Sequence, residues 1–148
     1  ARYFVDKGRA LGFATYAPHR EIVQPDRGAR QLTRILEILA VARSATDLTL
    51  RQMLALEANY LSRGTTVVVV TASADPDWIT EAHLLARRGI HATCVLIDPR
   101  SFGAPDAGAP RVRDMTEAAG GQVYTVQQDD DLTAALSFRR GMRAGAPG

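Results

Sequence analysis

The stretch Thr65–Thr71, TTVVVVT, decides how this chain is read. Consecutive β-branched residues lose χ1 freedom in a helix and suit a pleated strand. Gly64 precedes the run and the loop Ala72-Ser73-Ala74-Asp75 follows it. The valines are continuous rather than alternating with polar residues. That pattern predicts a strand covered on both faces, as in a parallel sheet flanked by helices.

Downstream, strand and helix patterns alternate. Asp75-Pro76 predicts a helix start, with the carboxylate capping free N–H groups and the proline at a position that needs no N–H. The helix is expected to reach Arg88, with Trp78, Ile79, Ala82 and Leu85 facing inward and Gly89 stopping it. His91–Ile97 reads as a second buried strand and Asp98–Ala109 as a Gly/Pro loop. Pro110–Ala119 reads as a short helix ended by Gly120-Gly121, and Gln122–Val126 as the last strand. A final helix is expected over Asp129–Leu136, its first turn carrying Asp129, Asp130 and Asp131, where negative charge is favoured. Tandem strand–helix units of this kind require right-handed crossovers and parallel strands.

Upstream the pattern differs. Residues 1–8, ARYFVDKG, read as the last turns of a helix, and the β signal begins only at Leu11. Arg9–Ala17 and Arg20–Gln24 flank a Pro18-His19 turn, so they form an antiparallel pair. Pro25 suits an edge-strand end. Leu32, Ile35, Leu36 and Leu39 mark one face of a helix from about Ala29 to Arg43. After the break Ser44-Ala45-Thr46-Asp47, Thr49 with Gln52 predicts a capping box for a helix carrying Leu50, Met53, Leu54 and Tyr60.

The expected fold is therefore α/β, a three-layer α/β/α arrangement with a mostly parallel sheet and an antiparallel edge hairpin. It is expected as one domain over residues 1–138, with a flexible basic, Gly-rich tail over 139–148. Because the β signal starts late, the expectation is a partial domain lacking its first strand. An unfilled gap beside Thr65–Thr71 would leave backbone groups unpaired. The two edges are then expected to close up, or a second chain to fill the gap as a homodimer or strand-swapped assembly.

Bulk properties exclude several classes. The 148 residues suffice for one sizeable core, and 46% hydrophobic with 23% charged residues is an ordinary balance for a folded soluble domain. The formal charge of +2 sets no strong field. Arg87-Arg88 and the tail arginines Arg139, Arg140 and Arg143 read as helix ends and a frayed terminus, so nucleic acid is not an expected partner. The single cysteine, Cys94, cannot form an internal disulfide and reads as a buried small hydrophobe within ATCVLI. No apolar stretch reaches the ~18 residues of a spanning helix, and no signal peptide is visible.

The C-terminal ends of parallel strands are the default site in an open α/β sheet. Here they deliver Thr71, Ala72, Ser73, Ala74 and Asp75, then Asp98, Arg100 and Ser101, while Thr46 and Asp47 could approach the same rim. Hydroxyls and carboxylates suit Mg²⁺ or Ca²⁺. Each residue also has an ordinary structural reading, as a cap, a break or a turn. Asp75, Asp77 and Asp98 could form an acid cluster for phosphoryl transfer, but the only lysine, Lys7, sits at the end of the first helix and is poorly placed for it. His19, His83 and His91 lack zinc-ligand spacing, and no nucleophile elbow, phosphate loop or dinucleotide fingerprint is present.

Three stretches carry a family resemblance: YFVDKGRALGFATYA, PDRGARQLTRILEIL and YLSRGTTVVVVTASADPDWITEAHLLARRGIHATCVLIDPRSFG, together spanning residues 2 to about 103. They resemble the C-terminal part of the DUF58 family, whose globular region is similar to a von Willebrand factor A domain. The resemblance implies a divalent-ion site in the full-length domain, holding Mg or Mn, in which Thr46 matches the loop threonine and Asp75 falls near the later aspartate. The Asp-x-Ser-x-Ser run that completes such a site is absent from this sequence, so no cofactor is expected here and Thr46 and Asp75 are vestigial metal candidates. The resemblance also implies a cytoplasmic-side domain of a membrane-anchored bacterial protein working with a MoxR-type AAA+ ATPase. No catalytic residues are established for the family. The leading expectation is a protein-interaction or adaptor module rather than an enzyme. The alternative, a divalent-metal-dependent hydrolase, requires a closed pocket at the strand ends holding two or more carboxylates.

Overall fold

The computed structural model describes residues 1–17, 19–43, 46–105 and 108–137. Ser44, Ala45 and the expected tail from Arg139 fall outside them. The chain divides into two compact units, Ala1–Thr49 and Leu50–Gly148.

The first unit holds a short helix α1 (Arg2–Asp6), strands β1 (Leu11–Tyr16) and β2 (Arg20–Asp26), and helix α2 (Ala29–Val41). Residues 1–8 supply a helical turn, as expected, and no strand. β1 and β2 pair antiparallel, from Tyr16 opposite Arg20 back to Leu11 opposite Asp26. The register shifts between Leu11 and Phe13, where β2 carries one extra residue. Pro25 sits in this bulge, where a missing N–H breaks no ladder bond. Gly12 faces it closely, since a Cβ there would lie 3.0 Å from Pro25 Cγ.

Gln31 from α2 closes the bulge. Its side chain is only 1% exposed. The amide Nε2 donates to the Leu11 carbonyl and, at 2.7 Å, to the Gln24 carbonyl. Gln31 and Ile35 are thus the buried residues of α2, while Leu36 and Leu39 stay 53% and 49% exposed. The inward face is therefore rotated from the expected leucine stripe, because an amide donor fits the free carbonyls and a leucine does not.

The second unit is α/β. Helix α3 (Leu50–Glu57) runs into a 3-10 turn at Ala58–Tyr60. Strand β3 (Thr66–Thr71), helix α4 (Trp78–Arg87), strand β4 (His91–Ile97), helix α5 (Ala109–Ala118) and strand β5 (Gln122–Val126) follow, with a short α6 at Leu132–Ala135. The three strands form a parallel sheet in the order β3-β4-β5. The hairpin β1-β2 is a separate two-stranded sheet.

Both crossovers advance in the same direction across the sheet. Right-handed connections then put α4 and α5 on the same side. The core agrees: Val69, Cys94 and Leu96 are buried with Leu54, Trp78, Ile79, Leu85 and Val112, and Val67 and Val123 pack against them. By register and the period-two alternation of a strand, these strand residues share one face. Val68 and Val70 point to the other and stay 42% and 62% exposed. The expectation that Thr65–Thr71 is covered on both faces is corrected here: among the described residues β3 is an edge strand with one covered face.

Local details position the strand ends. Gly89 ends α4 at φ +77°, and a Cβ there would lie 2.8 Å from Arg63 Cγ. The Gly64 N–H donates to the Gly89 carbonyl and the His91 N–H to the Thr65 carbonyl, which sets the β3–β4 register. Cys94 is buried in the middle strand, and burial pushes its thiol up to about 11. Among the described residues no helix is long and apolar enough to cross a membrane.

Candidate functional site

The C-terminal ends of β3, β4 and β5 lie along one rim of the parallel sheet. After β3 the chain climbs through three successive side-chain turns. Thr71 Oγ1 accepts from the Ser73 N–H at 3.0 Å, Ser73 Oγ from the Asp75 N–H at 3.2 Å, and Asp75 Oδ1 from the Asp77 N–H at 2.9 Å. Short polar side chains bond the backbone two residues on in this way, in competition with helix formation. The regular helix α4 runs from Trp78, and the turn leading into it opens on the expected Asp75-Pro76 pair, with the Ile79 N–H donating to the Pro76 carbonyl at 3.0 Å. Asp75 is a turn former here, with one carboxylate oxygen committed to its own loop.

After β4 the strand exits into Asp98, a carboxylate only 4% exposed. It caps the 3-10 turn Pro99–Phe102, accepting from the Arg100 N–H at 3.1 Å. The Arg100 guanidinium reaches back with Nε at 3.4 Å and Nη2 at 3.5 Å, and Gln127 Nε2 donates at 3.3 Å from the end of β5. The Arg100 side-chain bond beside it holds the Asp98 carboxyl below the usual range, and this outweighs the opposing effect of its burial. Ser101 extends the connection, donating its Oγ–H to the Asp98 carbonyl at 2.7 Å and accepting from the Gln128 N–H at 2.9 Å. The Asp98 N–H donates to the Val126 carbonyl at 2.9 Å. The whole cluster locks the ends of β4 and β5 together.

Sequence reasoning placed Asp98, Arg100 and Ser101 at this rim and missed Gln127 and Gln128. The signal was present, since both glutamines directly follow the strand that pairs parallel with β4 and so reach the same edge. Thr46 belongs to the first unit, where its Oγ1 accepts from the Leu48 N–H at 3.2 Å. Asp75 belongs to the second. Each vestigial metal candidate thus turns an oxygen onto its own backbone. Among the described residues no group of three or more His, Cys, Asp or Glu side chains gathers to hold a metal. Lys7 lies in the first unit with its Nζ 5.9 Å from the Tyr3 ring centroid.

Two hollows stand out, both in the first unit. One, of about 510 Å³, is an open groove between β2 and α2 with Ile22, Pro25, Arg34 and Ile38 among its walls. The other, of about 360 Å³, is formed by Tyr3, Phe4, Lys7 and Arg9.

The other candidate surface is the side of the parallel sheet turned away from the core. Register places Val68 beside Thr93, Val70 beside Val95, and Val95 beside Tyr124. These side chains form an uncharged stripe, exposed most at β3. Parallel sheets are normally covered on both faces, whereas among the described residues this face is left exposed at Val68 and Val70. Comparison of the chain with protein-family models, curated proteins and solved structures found no match.

Proposed function

We propose that this chain is a protein-interaction or adaptor module that performs no catalysis of its own, and that it holds its partner on the Val68–Val70 side of the parallel sheet. The observation that carries the reading is the exposure of two valines, 42% and 62%, on a parallel strand whose opposite face is core. Burying that stripe under a partner removes apolar area from water without desolvating a charge. The polar groups at the strand ends support the same reading. Asp98, Ser101 and the Thr71–Asp77 staircase spend their hydrogen bonds on holding loops, in the manner of scaffold residues.

By the resemblance to DUF58 proteins, the module serves as the cytoplasmic-side domain of a membrane-anchored bacterial protein, and a MoxR-type AAA+ ATPase is the partner to test. Binding of such a purified ATPase would be measured by interferometry against the wild-type chain and a Val70→Asp variant. The expected result is binding that weakens at least about tenfold in the variant, since a carboxylate would be desolvated at the contact. Equal binding of the two chains would remove this face from the contact, and absence of binding by both would remove the ATPase.

A further inference from the structure

The outer edge of β3 carries an inference that goes beyond the adaptor reading and does not depend on it. The His91 N–H bonds the Thr65 carbonyl. In a parallel ladder this turns the backbone groups of alternate residues toward β4, so Thr66, Val68 and Val70 point theirs outward. β3 ends the sheet order, and no backbone bond to another segment reaches these residues among those described. Natural edge strands are blunted by charge, proline, bulges or cover. Residues 65–71 contain no charge, no proline and no glycine, and the β3–β4 register has no irregularity.

We propose that two copies of this chain pair through β3, antiparallel about a two-fold axis at Val68, to make one continuous six-stranded sheet. The occupant is chosen by self-complementarity. Outward groups must face outward groups, which sets Val68 against Val68 and Thr66 against Val70 of the other copy. The flanking positions then oppose Thr65 to Thr71 and Val67 to Val69. Every pair is β-branched on β-branched, the combination that packs well across antiparallel strands, and no like charges meet. Each copy presents the same patch to the other, as a two-fold contact requires. The pairing closes about six backbone hydrogen bonds.

The test uses the full chain in sedimentation velocity over about a hundredfold range of concentration, where a self-pairing edge gives a mass-action shift from monomer to dimer. Val68→Lys puts two ammonium groups face to face at the axis, and Val68→Glu puts two carboxylates there. Each is expected to weaken the dimer at least about tenfold. Mixing the two variants is expected to restore a dimer, because opposite charges then meet. Unchanged Trp78 emission shows that each variant keeps its core. In wild type, the amides of Thr66, Val68 and Val70 are expected to gain exchange protection as concentration rises. A wild-type chain that stays monomeric overturns the proposal. So does a Val68→Lys variant that dimerises as tightly as wild type, a mixture that fails to pair, or a dimer whose β3 amides stay unprotected, as when another segment carries the contact.

Discussion

Replacing Val69 and Val70 separately by alanine tests the one-sided core with two adjacent residues of identical chemistry. Val69 is 5% exposed and lies in the core, whereas Val70 is 62% exposed. Alanine removes two carbon groups. At about 0.8 kcal/mol per buried CH₂, Val69→Ala loses about 1.6 kcal/mol of transfer free energy, and the cavity left behind raises the loss to about 2–3 kcal/mol. Val70 keeps only about two-fifths of its surface from water, so Val70→Ala loses about 0.6 kcal/mol and leaves no cavity. Both lose the same strand preference, at most ~1 kcal/mol, which cancels in the comparison. The expected difference of about 1.4–2.4 kcal/mol separates the two melting midpoints by roughly 6–19 °C. The assay is urea or thermal unfolding followed by tryptophan emission in dilute protein. Trp78 is the only tryptophan and is 2% exposed in the second unit, so it reports on that unit alone. Equal losses would mean that both faces are covered, and a larger loss at Val70 would invert the assignment of the core.

Three further outcomes are expected. The Cys94 thiol, raised from 9.0 to about 11, stays protonated in the folded chain while the unfolded chain ionises. The Cys94 contribution to stability is therefore flat below pH 9 and falls between 9 and about 11 by at most about 2.7 kcal/mol. Cys94→Ala should lose that alkaline limb, and at neutral pH an aromatic disulfide reagent should modify the wild-type thiol only as fast as the unit opens. Asp98 has a depressed carboxyl, so its contribution is present above the ordinary value of 3.8 and is lost as pH falls through the folded value. Urea midpoints measured down the acid range should fall more steeply for wild type than for Asp98→Asn. Gln31→Glu keeps the shape but turns an acceptor on the Leu11 and Gln24 carbonyls. It should destabilise the hairpin by about 2–3 kcal/mol or more at neutral pH, with partial recovery in acid, where the carboxyl donates an O–H. Hydrogen exchange of the β1 and β2 amides measures this, and unchanged protection would contradict the clamp.

Much of the local architecture was legible. His91–Ile97 and Gln122–Val126 were read at the bounds the structure shows, because each is a short apolar run closed by glycine, proline or polar residues. The inward residues Trp78, Ile79 and Leu85 of α4 followed from helical spacing. The Asp75-Pro76 pair opens the turn into α4 as expected, and the regular helix follows from Trp78. Gln31 was passed over because a polar residue on a helix face reads as solvated until the bulge supplies two carbonyls for its amide. At the rim, Asp98 was singled out, but its partner Gln127 is 29 residues away and becomes visible only when β4 and β5 pair.

Periodicity, breakers and β-branched runs act over a few residues, and they were enough to set the element order, the parallel strands and the antiparallel hairpin. Which side of the sheet becomes core was settled at longer range. Six β-branched or threonine positions look alike along the chain, and they differ only because two right-handed crossovers carried both helices to the same face. That assembly buried Val69, left Val70 in water and made β3 an edge. No local pattern encodes it, since it depends on the direction in which successive strands are added.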